Sequence, residues 1–200
     1  VGEWVERVRE NPRLFKELTP HLRSNVRIAA EAVLACPELI LDIEDKVSVL
    51  VKLLERSPSV VRALKRQYPR QLESAICSKE FLEKAVVRDF HWALEYHWKL
   101  REMFSPRQML TLMSDGLERA LADPELAQIL PNDPLREAPW PDFCWEDARF
   151  MTLLCQVNPR WVVNAGDRLR ANWEVIGPLW ARVVEQGELL RIVPEDVQLR

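Results

Sequence analysis

The chain has 200 residues, 48% of them hydrophobic, and its 28 basic and 31 acidic side chains leave a net charge of −3. That is apolar material for one core or two small ones, with no global charge that would draw the chain to nucleic acid or a membrane surface. No apolar run is long enough to span a bilayer, and five glycines against 14 prolines favour helices punctuated by proline over hairpins.

Taken in order, residues 3–10 read as a short helix that turns Trp4, Val5 and Val8 inward. Asn11-Pro12 then starts a second short helix, because Asn accepts from an orphan N–H and Pro at the first helical position loses no hydrogen bond. Leu14, Phe15 and Leu18 share its inner face. Thr19-Pro20 ends it, since the residue before proline is pushed out of the α region. Asn25 is placed to cap a longer helix with Val26, Ala29, Ala32, Val33 and Cys36 inside. Pro37, Pro58 and Pro69 restart short helices, and residues 44–56 form a helix with Val47, Leu50, Val51 and Leu54 on its buried face.

Residues 78–104 contain neither proline nor glycine. Their apolar stripe (Phe81, Leu82, Ala85, Val86, Phe90, Ala93, Leu94, His97, Leu100, Phe104) predicts one long spine helix. Ser105-Pro106-Arg107-Gln108 is a capping box with proline at the first helical position. It opens a helix buried through Met109, Leu112, Met113, Leu117, Ala120 and Leu121. Asp123-Pro124 starts another short helix. Residues 131–142, PNDPLREAPWPD, hold four prolines and cannot form a regular helix. Beyond them one helix with Cys144, Ala148, Met151, Leu154 and Cys155 is expected, and Gly187 closes the last long helix before a short final turn.

Residues 11–36 recur at 158–183 with a constant offset of 147 and no gap. The pairs Asn11/Asn158, Pro12/Pro159, Arg13/Arg160, Leu22/Leu169, Arg23/Arg170 and Asn25/Asn172 are identical. In the second copy the inner face carries Trp173, Ile176, Leu179, Trp180 and Val183. Such a unit is too small to hide its own apolar face and must stack on neighbours. The pattern NPR…LRxN resembles an uncharacterised family of bacterial short helical repeats, usually with Asp where this chain has Asn25 and Asn172. The resemblance implies a tandem helical fold, in proteins of host-associated bacteria, and assigns no activity to the repeat itself.

Candidate chemistry is sparse. His91 and Glu95 lie one turn apart and share a face, a spacing that suits a metal. His97 is rotated away from them and His21 is the remaining histidine, so no metal or other cofactor is expected. No GxSxG elbow, Gly-rich phosphate loop or CxxC pair occurs. Cys36, Cys77, Cys144 and Cys155 read as reduced thiols of a cytoplasmic-type compartment, although Cys77 at a helix start is a place for a depressed pKa. The first residues show no signal-peptide pattern. Arg56, Arg62, Lys65, Arg66 and Arg70 form a basic run with no acidic residue between them; the overall balance argues against nucleic acid and leaves a solvated or partner-facing surface. Eight tryptophans exceed what a plain core needs. Trp92, Trp98, Trp140 and Trp145 are candidate interface anchors, or else the Pro-Trp loop folds back and completes the core.

The expected fold is all-α, an irregular, solenoid-like array of helix-turn-helix repeats around one long central helix. Its segments are 1–77 (N-terminal repeats), 78–130 (spine helix and followers), 131–142 (Pro/Trp loop) and 143–200 (C-terminal repeat). The expected function is a protein–protein interaction scaffold that holds a protein or peptide partner without catalysis, its candidate contacts being Trp92, Trp98, Trp140, Trp145, Arg62 and Arg66. On the resemblance, it is delivered into a host cell as an effector-type protein. Two alternatives stand beside this reading. One is an enzyme drawing on His91, Glu95, Asp89 and Arg101; the other is a small acidic inhibitor or immunity-type protein using Glu137, Asp142, Glu146 and Asp147.

Overall fold

The protein is described by a computed structural model, which covers residues 1–123 and 140–172 together with Ile176, Gly177 and Pro194. It is all-α, with no strand among the described residues. None of the helices described there is long and apolar enough to cross a membrane. The chain divides into two compact units, Val1–Arg88 and Asp89–Arg200.

Proline sets the rhythm of the first unit. It contains α1 (Gly2–Glu10), a 3-10 helix (Pro12–Glu17), α2 (Pro20–Arg23), α3 (Val26–Ala35), a second 3-10 helix (Pro37–Asp42), α4 (Lys46–Arg56), α5 (Pro58–Gln67), α6 (Pro69–Ile76) and α7 (Lys79–Arg88). Five of these nine elements begin on a proline: at 12, 37, 58 and 69 as expected, and at 20, where the sequence indicated only the end of the preceding helix. The elements after Asn11 and Cys36 are 3-10 rather than α helices. Six residues between a proline and an extended residue leave room for i→i+3 bonds but little else. Asn25 caps α3 as expected, accepting from the backbone N–H of Arg27 (3.2 Å) and Ile28 (3.3 Å).

The core of this unit is centred on α3, which is flanked by α1 and α4, while α4 also meets α5, α6 and α7. Ile28, Ala29, Ala30, Ala32 and Val33 are all buried. Small residues on a helix with neighbours on two sides let those neighbours approach. α4 buries Val49, Leu50, Leu53 and Leu54, so its inner face is turned from the one expected and Val47 and Val51 lie at its margin.

The predicted spine helix does not exist. Residues 78–104 form α7, α8 (His91–Glu95) and α9 (His97–Met103), and the division between the units falls between α7 and α8. Phe90 and Trp92 are both fully buried. On a continuous helix they would point about 200° apart, so the ladder breaks and resets its phase. Asp89, itself buried, holds the break: its Oδ1 accepts from the His91 N–H at 3.1 Å and its carbonyl from the Trp92 N–H. A short acidic side chain that bonds nearby backbone competes with the helix in this way. Tyr96 makes the second break and stacks on Trp92 at 5.8 Å.

The second unit continues with α10 (Pro106–Ala122), α11 (Asp142–Trp145), α12 (Ala148–Val157), a 3-10 helix (Pro159–Asn164) and α13 (Asp167–Arg170). The capping box opens α10 as expected, with the Ser105 hydroxyl accepting from the Gln108 N–H and Gln108 Oε1 accepting from the Ser105 N–H. The helix expected from Asp142 to Cys155 is two helices, because Asp147 starts α12 afresh by accepting from the Phe150 N–H at 2.8 Å. α12 sits against α10 and against the 3-10 helix after it. The expected short helix after Pro124, residues 131–139, four of the five inner-face residues of the second copy and Gly187 lie outside the described residues; Ile176 is buried.

The two copies share their local backbone. The 3-10 helices Pro12–Glu17 and Pro159–Asn164, and the helices Pro20–Arg23 and Asp167–Arg170, start and end at the same offset of 147 that relates the sequences. Thr19 and Gly166 both precede the short helix at φ −60°, with ψ 153° and 154°. The hydrogen bonds correspond as well: Leu14 N–H to Asn11 O at 3.1 Å matches Trp161 N–H to Asn158 O at 3.0 Å, and Ala29 N–H to Asn25 O at 2.9 Å matches Ile176 N–H to Asn172 O at 3.1 Å.

Candidate functional site

In the first unit, α1, α3 and α4 enclose a recess of about 460 Å³. Its charged lining is Glu6 and Arg9 from α1, Arg27 and Glu31 from α3, and Lys52 and Arg56 from α4. Glu31 is the only charged residue in the run IAAEAVLA, and its side chain is 10% exposed. A buried carboxylate needs partners, and two guanidinium groups supply them. Arg9 Nε donates to Glu31 Oε2 at 3.2 Å, and Arg56 pairs with Glu31 Oε1. Arg9 also reaches Glu6 through Nη1 at 2.9 and 3.1 Å. Lys52 donates to Glu55 at 2.6 Å, and this cation beside Glu55 lowers the pKa of that carboxyl below its ordinary value. Arg27, four residues before Glu31, has no ion pair among the described residues.

In the second unit the aromatic residues converge. Trp140 meets Phe150 edge-on at 5.2 Å, Trp161 at 5.6 Å, Trp145 at 5.7 Å and Phe90 at 5.9 Å, while Trp145 stacks on Trp161 at 6.1 Å and 12°. Offset and edge-on pairs of this kind add to the area that they bury. Trp140 is 5% exposed and Trp92 0%. Neither is an exposed anchor; both complete the core, which is the alternative that the sequence left open for the loop. Trp145 is half-buried through its stack on Trp161. Trp98 alone of the four is largely exposed, at 44%, with Lys99 Nζ 4.7 Å from its ring centroid.

The basic run is divided between tasks. Arg56 belongs to the Glu31 cluster, and burial lowers the pKa of Lys65 while Glu73 opposes that shift. Arg62 is half-buried and Arg66 exposed on α5, and Arg70 is exposed on α6. His91 and Glu95 form the expected pair, Nε2 to Oε2 at 3.4 Å, with both side chains more than a third exposed. Among the described residues no three His, Cys, Asp or Glu side chains gather as metal ligands. His97 Nδ1 lies 3.2 Å from the Leu94 carbonyl. Arg101 and Asp142 border another recess of about 420 Å³, beside Phe104 and Trp140. Of the acidic candidates, Asp147 is used as a helix cap, and Glu137 lies outside the described residues.

All four cysteines are free. Burial pushes the thiols of Cys144 and Cys155 up to about 12, with Asp147 adding to the effect on Cys144. Cys77 lies 3.4 Å from Glu73 Oε1. The recess cluster was not singled out from the sequence, although it left a signal: a lone glutamate inside an alanine-rich apolar helix needs a cation from elsewhere in the chain. Compared with known protein families, curated proteins and solved structures, the chain matches none of them.

Proposed function

We propose that this chain is a protein–protein interaction scaffold, built on helical-repeat units, that holds a polypeptide partner against its first unit. The observation that carries this reading is the recess between α1, α3 and α4, a concavity walled by long charged side chains that a buried carboxylate holds in place. The corresponding backbone of the two copies supports it from another direction. Residues 11–25 and 158–172 keep one frame while buried pairs such as Phe15/Val162 and Leu18/Ala165 and exposed pairs such as Lys16/Val163 differ, as expected of repeats that carry variable side chains on a common backbone. The resemblance of the NPR…LRxN units to bacterial helical repeats extends the proposal to a bacterial protein that acts on or beside a host. That step rests on likeness alone.

Site-specific photo-crosslinking tests the proposal. A photoreactive residue replaces Lys52 in the recess, Arg66 on α5 or Trp98 on α9, and cross-linked products from lysate of the source cells are identified by mass spectrometry. One protein captured reproducibly from position 52 and competed away by unlabelled chain supports the scaffold. Products that are the same from all three positions, or none from any, overturn it.

A further inference from the structure

We infer that the recess of the first unit recognises a carboxylate side chain of an acidic segment of the partner, with Arg27 as the contacting cation and Glu31 positioning Arg9 and Arg56 around it. The inference deepens the scaffold reading and rests on it. Four cations face two carboxylates in the wall, and Lys52 is turned to a third, Glu55, so the recess keeps an excess of one positive charge in a protein whose net charge is −3. Glu31 neutralises only part of Arg9 and Arg56, whose side chains are 49% and 44% exposed. It fixes where they sit without consuming them. Arg27 projects from the same helix one turn earlier and has no ion pair among the described residues.

The sequence repeat does not carry these charges. At the matching positions of the second copy, Arg27 is replaced by Glu174 and Glu31 by Pro178, and Arg9 and Arg56 lie outside the copied residues 11–36. The cluster is therefore an addition to the first copy rather than part of the repeat. Guanidinium groups bind planar oxyanions through paired N–H donors, and a recess between three helices admits one such group with the chain that bears it. A nucleic-acid backbone needs a track of cations that follows successive phosphates, which this single compact cluster is not. Charge complementarity thus selects an acidic polypeptide.

The test measures fluorescence anisotropy of a labelled ten-residue peptide bearing four glutamates, titrated with the full chain at low salt. A phosphoserine version of the peptide, inorganic phosphate as competitor and a short single-stranded DNA complete the set. Binding of the glutamate peptide should weaken about tenfold in Arg27→Ala, the loss of one charge-assisted contact. Arg27→Lys should recover part of it, and Arg66→Ala, on the exposed side of α5, should change it less than about twofold. Glu31→Gln should also weaken binding while circular dichroism shows the fold intact. No peptide binding, equal losses in Arg27→Ala and Arg66→Ala, or tighter Arg27-dependent binding of the DNA, the phosphopeptide or free phosphate would each overturn the inference. If the photo-crosslinked partner is still captured by Arg27→Ala chain labelled at another position, the acidic-segment assignment fails while the scaffold reading stands. If no partner is captured at all, the scaffold reading fails first.

Discussion

Residues 11–25 and 158–172 follow the same backbone course, yet they serve different surroundings. In the first copy the chain leads into an alanine-rich helix that carries a buried glutamate and its arginines. In the second, Trp161 stands where the first has Leu14 and stacks with Trp145 and Trp140. The shared part is set by groups acting over a few residues: proline at the helix start, the extended residue before it, and the carbonyls of Asn11 and Asn158. The differing part is set by what each copy packs against. A frame of this kind tolerates large side-chain changes because its hydrogen bonds are made by the backbone.

The largest expected difference between the copies is in packing. Trp161→Ala should cost about 3–5 kcal/mol, as for a large aromatic removed from a core. Leu14→Ala at the matching, half-buried position should cost less than about 2 kcal/mol. Urea denaturation followed by far-UV circular dichroism checks both, and equal losses would show that the copies bear the same load. Next comes the buried charge. Glu31→Ala leaves Arg9 and Arg56 without their shared carboxylate, and both are half-exposed. The cost should fall between the limits for surface and buried pairs, roughly 1–2 kcal/mol. A neutral result in the same urea assay would mean that the cluster does not anchor α1 and α4 to α3.

A smaller contrast lies at the matched asparagines. The Asn158 side chain accepts from the Arg160 N–H at 3.0 Å, whereas that of Asn11 makes no capping bond. Asn158→Ala should therefore cost about 1 kcal/mol and Asn11→Ala only a few tenths, read as a difference in denaturation midpoints. The finest contrast is chemical. Cys36 and Cys77 in the first unit are half-buried, while Cys144 and Cys155 in the second are buried with thiol pKa values pushed up to about 12. Iodoacetamide at pH 8 should label the first pair and spare the second, as peptide mapping would reveal. The unfolded thiols ionise near their ordinary value, about 9, and the folded ones only near 12. Their contribution to stability is therefore complete below about pH 9 and is lost as pH rises toward 12. A Cys144→Ala, Cys155→Ala variant should show a flatter decline in melting temperature over that range.

Much of the element order was legible. The starts at Pro12, Pro37, Pro58, Pro69, Pro106 and Pro159, the Asn25 cap and the Ser105–Gln108 box all depend on residues within one turn of each other. The stretch 78–104 was misread because it has no proline or glycine and its stripe keeps helical spacing, while the residue that holds its first break, Asp89, is a type that helices also carry. The basic run was legible as charge but not as function, since Arg56 is drawn away to Glu31 from a distant part of the chain. The tryptophans were legible as a surplus, while their division into buried Trp92 and Trp140, half-buried Trp145 and exposed Trp98 was not.

Residues close together in the chain are enough to make this an all-helical protein, to place most helix starts and to repeat one short frame. Those features follow from a locked φ, a missing N–H and side chains that cap their own backbone, all within a few residues. Only the tertiary structure decided that Phe90 and Trp92 would both be buried and so divide the expected spine, and that Arg9, Glu31 and Arg56 would meet at one recess. These outcomes depend on which side chains face one another across elements far apart in the chain. Periodicity along one helix carries no record of that.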